Sequence, residues 1–93
     1  MTDIDIAEKL EELLRKTGSE HHKAFIKTKG EDPEWPLWYA DYLLEKLAKL
    51  LNAKFTKSEL IYLLVMVEKE RALMAPGADW PRYYANFFIE RYT

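Results

Sequence analysis

Ninety-three residues, 48% of them apolar, suit one folded domain and leave no room for a disordered reading. The formal net charge of −2, with acidic and basic residues interleaved, gives no footprint for nucleic acid or an anionic membrane surface. The chain has no cysteine, so disulfides and thiolate metal sites are excluded and the redox compartment leaves no mark.

The opening, Met1-Thr2-Asp3-Ile4-Asp5, is acidic and has none of the apolar core of a signal peptide. The longest apolar run, Leu60 to Val67, falls far short of the roughly 20 residues a membrane span requires. A cytoplasmic protein is the expectation. A chain this short buries only about 60–65% of the surface its unfolded form exposes, so its core must be thin.

In chain order, residues 3–17 predict a first helix, with Ile6, Leu10, Leu13 and Leu14 on one stripe and charged residues around it. Gly18 fits a left-handed cap at its end. Ser19 then caps a second, shorter helix over 20–29, closed by Gly30. On that helix His22, Phe25 and Ile26 share a side. His22 is therefore expected to be far less exposed than His21, with a ring nitrogen hydrogen-bonded. Adjacent helical residues diverge by about 100°, so the two rings cannot easily hold one metal.

Residues 30–35 form a loop, and Pro36 opens a third helix that reaches Leu51, where Asn52 caps it. Thr56-Lys57-Ser58-Glu59 is a capping box, flanked by Phe55 and Leu60 as a hydrophobic staple, and starts a fourth helix running to Met74. Pro76-Gly77 stops it. Trp80-Pro81 opens a fifth helix that continues to the C-terminus. No strand pattern competes, so the expected architecture is all-α: one compact five-helix bundle over residues 1–93.

The third and fifth predicted helices carry nearly the same text. Residues 35–47, WPLWYADYLLEKL, align without gaps on residues 80–92, WPRYYANFFIERY, with five identities. Most other positions exchange like for like. At 100° per residue, Tyr39, Ala40, Leu43, Leu44, Leu47, Leu50 and Leu51 make one apolar face, and Tyr84, Ala85, Phe88, Ile89 and Tyr92 make its equivalent. The alanine shared by both copies suits a close backbone approach. Trp38 with Tyr42, and Tyr83 with Phe87, form a second aromatic stripe on each copy. Either another helix of this chain or a partner must cover those stripes.

The fourth predicted helix is apolar on all sides between Leu60 and Val67. Leu60, Leu63, Leu64, Val67 and Met74 form one stripe, and Tyr62, Met66 and Leu73 a second on the far side. A symmetric homodimer would bury the second stripe by presenting the same patch twice. Its interface would draw on Tyr62, Met66 and Leu73, or on Trp38, Tyr42, Tyr83 and Phe87.

Residues with reaction chemistry are sparse. No nucleophile–base arrangement, phosphate loop or EF-hand occurs, and no His-x-x-Glu spacing supports a di-metal site. The sequence thus names no catalytic residue, metal or cofactor. Glu68 belongs to a charge run, where pairing with Arg71 at a solvated helix end is one reading. On the wheel it also falls near the buried side, and a half-buried carboxylate close to His22 is the other reading.

The string His21-His22-Lys23-Ala24-Phe25, followed by Gly30-Glu31-Asp32-Pro33-Glu34-Trp35-Pro36-Leu37-Trp38-Tyr39-Ala40, resembles a group of small bacterial helical proteins with an H-x-A-F…G-x-D-P-x-W-P-x-W-Y-A pattern. The resemblance covers about residues 21–47. It brings no assigned biochemistry and hence no functional residue. The leading expectation is a non-enzymatic binding or interaction module, partnered by a second copy of itself or another protein and not by nucleic acid or membrane. The alternative is a small-molecule-binding protein or enzyme with a pocket formed by His22, Trp35, Trp38, Tyr39 and Glu68.

Overall fold

A computed structural model describes residues 3–92, with side chains from Ile6 onward; the acidic opening from Met1 to Asp5 lies outside the described side chains. Four α-helices carry the fold: α1 (Asp3–Ala24), α2 (Trp35–Leu51), α3 (Lys57–Met74) and α4 (Trp80–Tyr92). A single 3₁₀ turn, Ile26–Thr28, follows α1. The described residues contain no strand, and no helix is long and apolar enough to cross a membrane. Each helix packs on its neighbour in chain order, and α4 closes the ring against α1.

The expected break at Gly18 does not occur. One continuous α1 replaces the two predicted helices, and the bundle has four helices, not five. Gly18 serves packing: a Cβ there would lie 2.8 Å from Cζ2 of Trp80. The missing side chain lets the Trp80 ring lie directly on α1. The left-handed residues come later, closing the 3₁₀ turn that follows α1: Lys29 (φ 58°) caps it, Gly30 has φ +84°, and the Gly30 N–H donates to the Phe25 carbonyl at 2.9 Å.

The unbroken helix also decides which histidine is inside. Leu10, Leu14, Thr17 and His21 fall on one stripe of α1, and all four are buried. His21 is only 7% exposed, whereas His22 is exposed. The expectation that His22 is far less exposed than His21 is therefore reversed. It assumed a new helix at Ser19, with a register of its own.

The other helices begin and end where their signals stand. Pro36 sits in the first turn of α2, and Asn52 (φ 51°) caps its end with its N–H on the Ala48 carbonyl. At α3 the Glu59 N–H donates to Thr56 Oγ1 (3.1 Å) and the Thr56 N–H to Glu59 Oε1 (3.0 Å). Replacing Thr56 by alanine removes one half of that box. It should cost about 1 kcal/mol, read as a lower midpoint in thermal or urea unfolding; an unchanged midpoint would refute the role of the cap.

The core takes Leu10 and Leu14 from α1, Tyr39, Ala40, Leu43, Leu47 and Leu51 from α2, Leu60, Leu63, Leu64 and Val67 from α3, and Tyr84, Ala85 and Phe88 from α4. Position by position, Tyr39 and Tyr84, Ala40 and Ala85, and Leu43 and Phe88 are buried in both Trp-Pro helices. Met74, expected on the buried stripe of α3, is 78% exposed instead. It stands in the last turn of α3.

Candidate functional site

The ring of helices brings the two Trp-Pro starts together. Trp35 and Tyr39 sit one turn apart on α2, and Trp80 and Tyr84 one turn apart on α4. Each pair meets edge to face, at 5.2 Å and 5.0 Å between ring centroids. Tyr39 bridges the pairs, its ring 6.1 Å from that of Trp80 and inclined by 57°. These four rings wall an open cleft of about 280 Å³, completed by Glu68, Arg71 and Ala78.

Two contacts set the positions of the tryptophans. Trp80 rests on the bare backbone of Gly18. Trp35 is held by the preceding loop, where its N–H donates to the Asp32 carbonyl at 3.1 Å. One Asp32 carboxylate oxygen accepts from the Glu34 N–H, and the other meets His21 Nε2 at 3.1 Å. A carboxylate only accepts, so the proton sits on Nε2. The buried His21 ring thus anchors the loop that leads into Trp35, among the rings of Phe25, Trp38 and Tyr39.

Gly18→Ala probes the Trp80 seat directly. Alanine in a helix interior is favoured over glycine by about 1 kcal/mol, but overpacking against an aromatic ring costs about 1–3 kcal/mol. The expected balance is a loss of up to about 2 kcal/mol together with changed Trp80 fluorescence. A gain in melting temperature would show that the ring moves aside freely.

Glu68 is the polar centre of the cleft. Its carboxylate accepts two bonds from Arg71, Nε at 2.9 Å and Nη2 at 2.7 Å, and a third from the Tyr84 hydroxyl at 2.7 Å. Arg71 also donates from Nη1 to the Pro76 carbonyl at 3.2 Å, so it ties down the turn between α3 and α4. The Arg71 bond holds the Glu68 carboxyl below its ordinary range, against the opposing pull of burial and with help from Tyr84. Tyr39 is pushed up to about 12, by burial first and by the charge of Glu68 second. Tyr84 is raised by burial and by its bond to Glu68. Both phenols are neutral at ordinary pH.

Of the residues expected to form a pocket, Trp35, Tyr39 and Glu68 line the cleft, while His22 and Trp38 do not. His22 lies over the backbone of Gly30, where a Cβ would come within 2.5 Å of its Nδ1. Trp38 faces another way, stacked on Tyr42 at 5.4 Å and 12° and edge-on to His21. Lys46 Nζ lies 4.3 Å from the centre of the Tyr42 ring. Trp80, Tyr84 and Arg71 were absent from the expected pocket. The repeat itself carries the signal for the first two, since they are the counterparts of Trp35 and Tyr39.

The expected interface residues are spread over α2, α3 and α4. Tyr62 is 62% and Leu73 83% exposed on α3, with Met66 half-buried beside them. Tyr83 and Phe87 are half-buried; the Tyr83 hydroxyl donates to Glu70 at 2.9 Å, and the Arg91 guanidinium lies 5.6 Å from the Phe87 ring centre. Among the described residues no group of three or more carboxylates and histidines could hold a metal ion. Comparisons with protein-family models, with curated proteins and with solved structures find no match to this chain.

Proposed function

We propose that the protein is a non-enzymatic binding module that holds a small ligand in the cleft between its two Trp-Pro helices. One observation carries this reading: Trp35, Tyr39, Trp80 and Tyr84, at matching positions of the repeated segment, converge on one half-buried Glu68–Arg71 pair. Pockets of this make-up, mostly aromatic with a few placed polar groups, are the usual form of small-molecule sites. The repeat then reads as one ligand-presenting segment used twice. The reading assigns no reaction to the cleft.

The three tryptophans supply both the test and its control. Indole N–H signals in a proton–nitrogen NMR spectrum, followed against a panel of cationic, neutral aromatic and anionic small molecules, should move for Trp35 and Trp80 with at least one class. The Trp38 signal should stay, because Trp38 lies outside the cleft. A panel that moves none of the three counts against the reading.

A second reading rests on α3. Tyr62 and Leu73 leave large apolar side chains in solvent on one face, flanking Met66, and a homodimer would cover them. Sedimentation at micromolar concentration should then show a species of twice 11.1 kDa. A clean monomer removes the dimer and leaves the cleft untouched.

A further inference from the structure

We propose that the cleft binds a methylated ammonium cation, with the rings of Trp35, Tyr39, Trp80 and Tyr84 as its walls and the Glu68 carboxylate as its counter-ion. The proposal rests on the reading of this cleft as a ligand site and adds the chemical class of the ligand.

The walls come first. Aromatic faces carry partial negative charge and attract cations, tryptophan most strongly. A single ring gives a weak contact, whereas several rings inclined to one another surround the cation and exclude water. Here neighbouring rings are inclined by 79°, 57° and 68° along the series Trp35, Tyr39, Trp80, Tyr84. They form corners, not a parallel slot. A flat ligand sandwiched between parallel faces has no such slot here, whereas a round, methyl-covered cation fits corners.

The polar groups point the same way. Arg71 has Nε and Nη2 committed to Glu68 and Nη1 to the Pro76 carbonyl. Three of the five guanidinium N–H groups are thus used, and an organic anion on the remaining two would stand beside the Glu68 carboxylate. Burial first and the charge of Glu68 second raise the Tyr39 phenol, and burial followed by the bond to Glu68 raises that of Tyr84. The Tyr39 hydroxyl points to α1, where a Cβ on Gly18 would stand 3.5 Å from it, so Tyr39 offers the cleft its ring.

Methylated ammonium groups occur on free small molecules and on methylated lysine side chains, and the cleft chemistry is the same for both. The test uses the wild-type protein and the Trp35 and Trp80 indole signals. Choline should move both signals saturably. Its uncharged isostere, 3,3-dimethylbutan-1-ol, should bind about tenfold or more weakly. A trimethyllysine peptide compared with its unmethylated form reports the source: preference for that peptide over choline supports the proposal with a protein tail as ligand, and preference for choline supports it with a free cation.

Equal binding of choline and its isostere would overturn the cation class. So would silence with choline and the peptide while a neutral or anionic compound moves the same signals, and in that case the ligand site itself would stand. Silence with every compound would sink both. Glu68→Gln should weaken choline binding about tenfold while leaving the isostere unchanged. Because that change also touches Arg71 and Tyr84, Trp35→Leu provides a second variant that should lose choline binding while its far-ultraviolet circular dichroism still shows the folded helices.

Discussion

Phe88→Ala should lower the melting point by about 12 °C or more. Phe88 is fully buried and among the largest fully buried side chains of the described core. It stands on α4, the helix that closes the ring against α1 and also meets α3. Removing a buried phenylalanine costs about 3–5 kcal/mol, the lost transfer energy plus the cavity left behind. Small domains are stable by only about 5–15 kcal/mol in total. For a chain of this size each kcal/mol moves the melting point by about 4–8 °C, so a fall of about 12 °C or more is expected. Leu37→Ala, at a position 42% exposed, is the matched control and should stay within about 0.5 kcal/mol of wild type. A Phe88→Ala protein that melts within a few degrees of wild type would mean that α4 is not packed as described.

Local signals were readable in the sequence wherever the cause was local. The capping box at Thr56, the proline in the first turn of α2 and the asparagine at its end each act within a few residues. They marked helices that the structure contains. Gly18 was misread because its cause is distant. A glycine after an apolar stripe looks like a cap, and nothing near it shows that Trp80 will lie on its backbone. One wrong break then shifted the register behind it, and His22 was placed inside where His21 belongs. The lesson is quantitative: a helix wheel is only as good as the residue from which it starts.

The candidate site was half legible for the same reason. Trp35, Tyr39 and Glu68 could be grouped because the wheel put Tyr39 and Glu68 toward the interior. Their true neighbours, Trp80 and Tyr84, come from the other end of the chain, and only the closure of α4 on α1 brings them in. The alignment of residues 35–47 on 80–92 contained that information. If two copies of one segment pack in one small bundle, equivalent side chains are natural candidates for a shared site. Trp38 illustrates the converse, since a tryptophan beside the site is absorbed by stacking on Tyr42 and plays no part in the cleft.

Glu68 and Tyr84 should prove energetically coupled. Tyr84 is 3% exposed, and its hydroxyl donates to Glu68. Glu68→Ala leaves that hydroxyl without its acceptor and frees Arg71 from its partner. An unsatisfied buried donor costs about 1–3 kcal/mol, with the guanidinium adding little because it can turn to solvent. Tyr84→Phe removes the hydroxyl and leaves the Glu68–Arg71 pair intact. The double variant should therefore lose less than the sum of the two, with a coupling of about 0.5 kcal/mol or more. Acid provides a second arm. The folded carboxyl of Glu68 lies below its ordinary range, chiefly through Arg71. Its contribution is thus fully present above the unfolded value of about 4.3 and is lost as pH falls through the lowered folded value. Glu68→Gln should flatten the acid limb of the stability profile in that window and leave the neutral plateau parallel to wild type. Strict additivity of the two substitutions, or an unchanged acid limb, would show that the carboxylate at the centre of the cleft holds neither Tyr84 nor Arg71 in place.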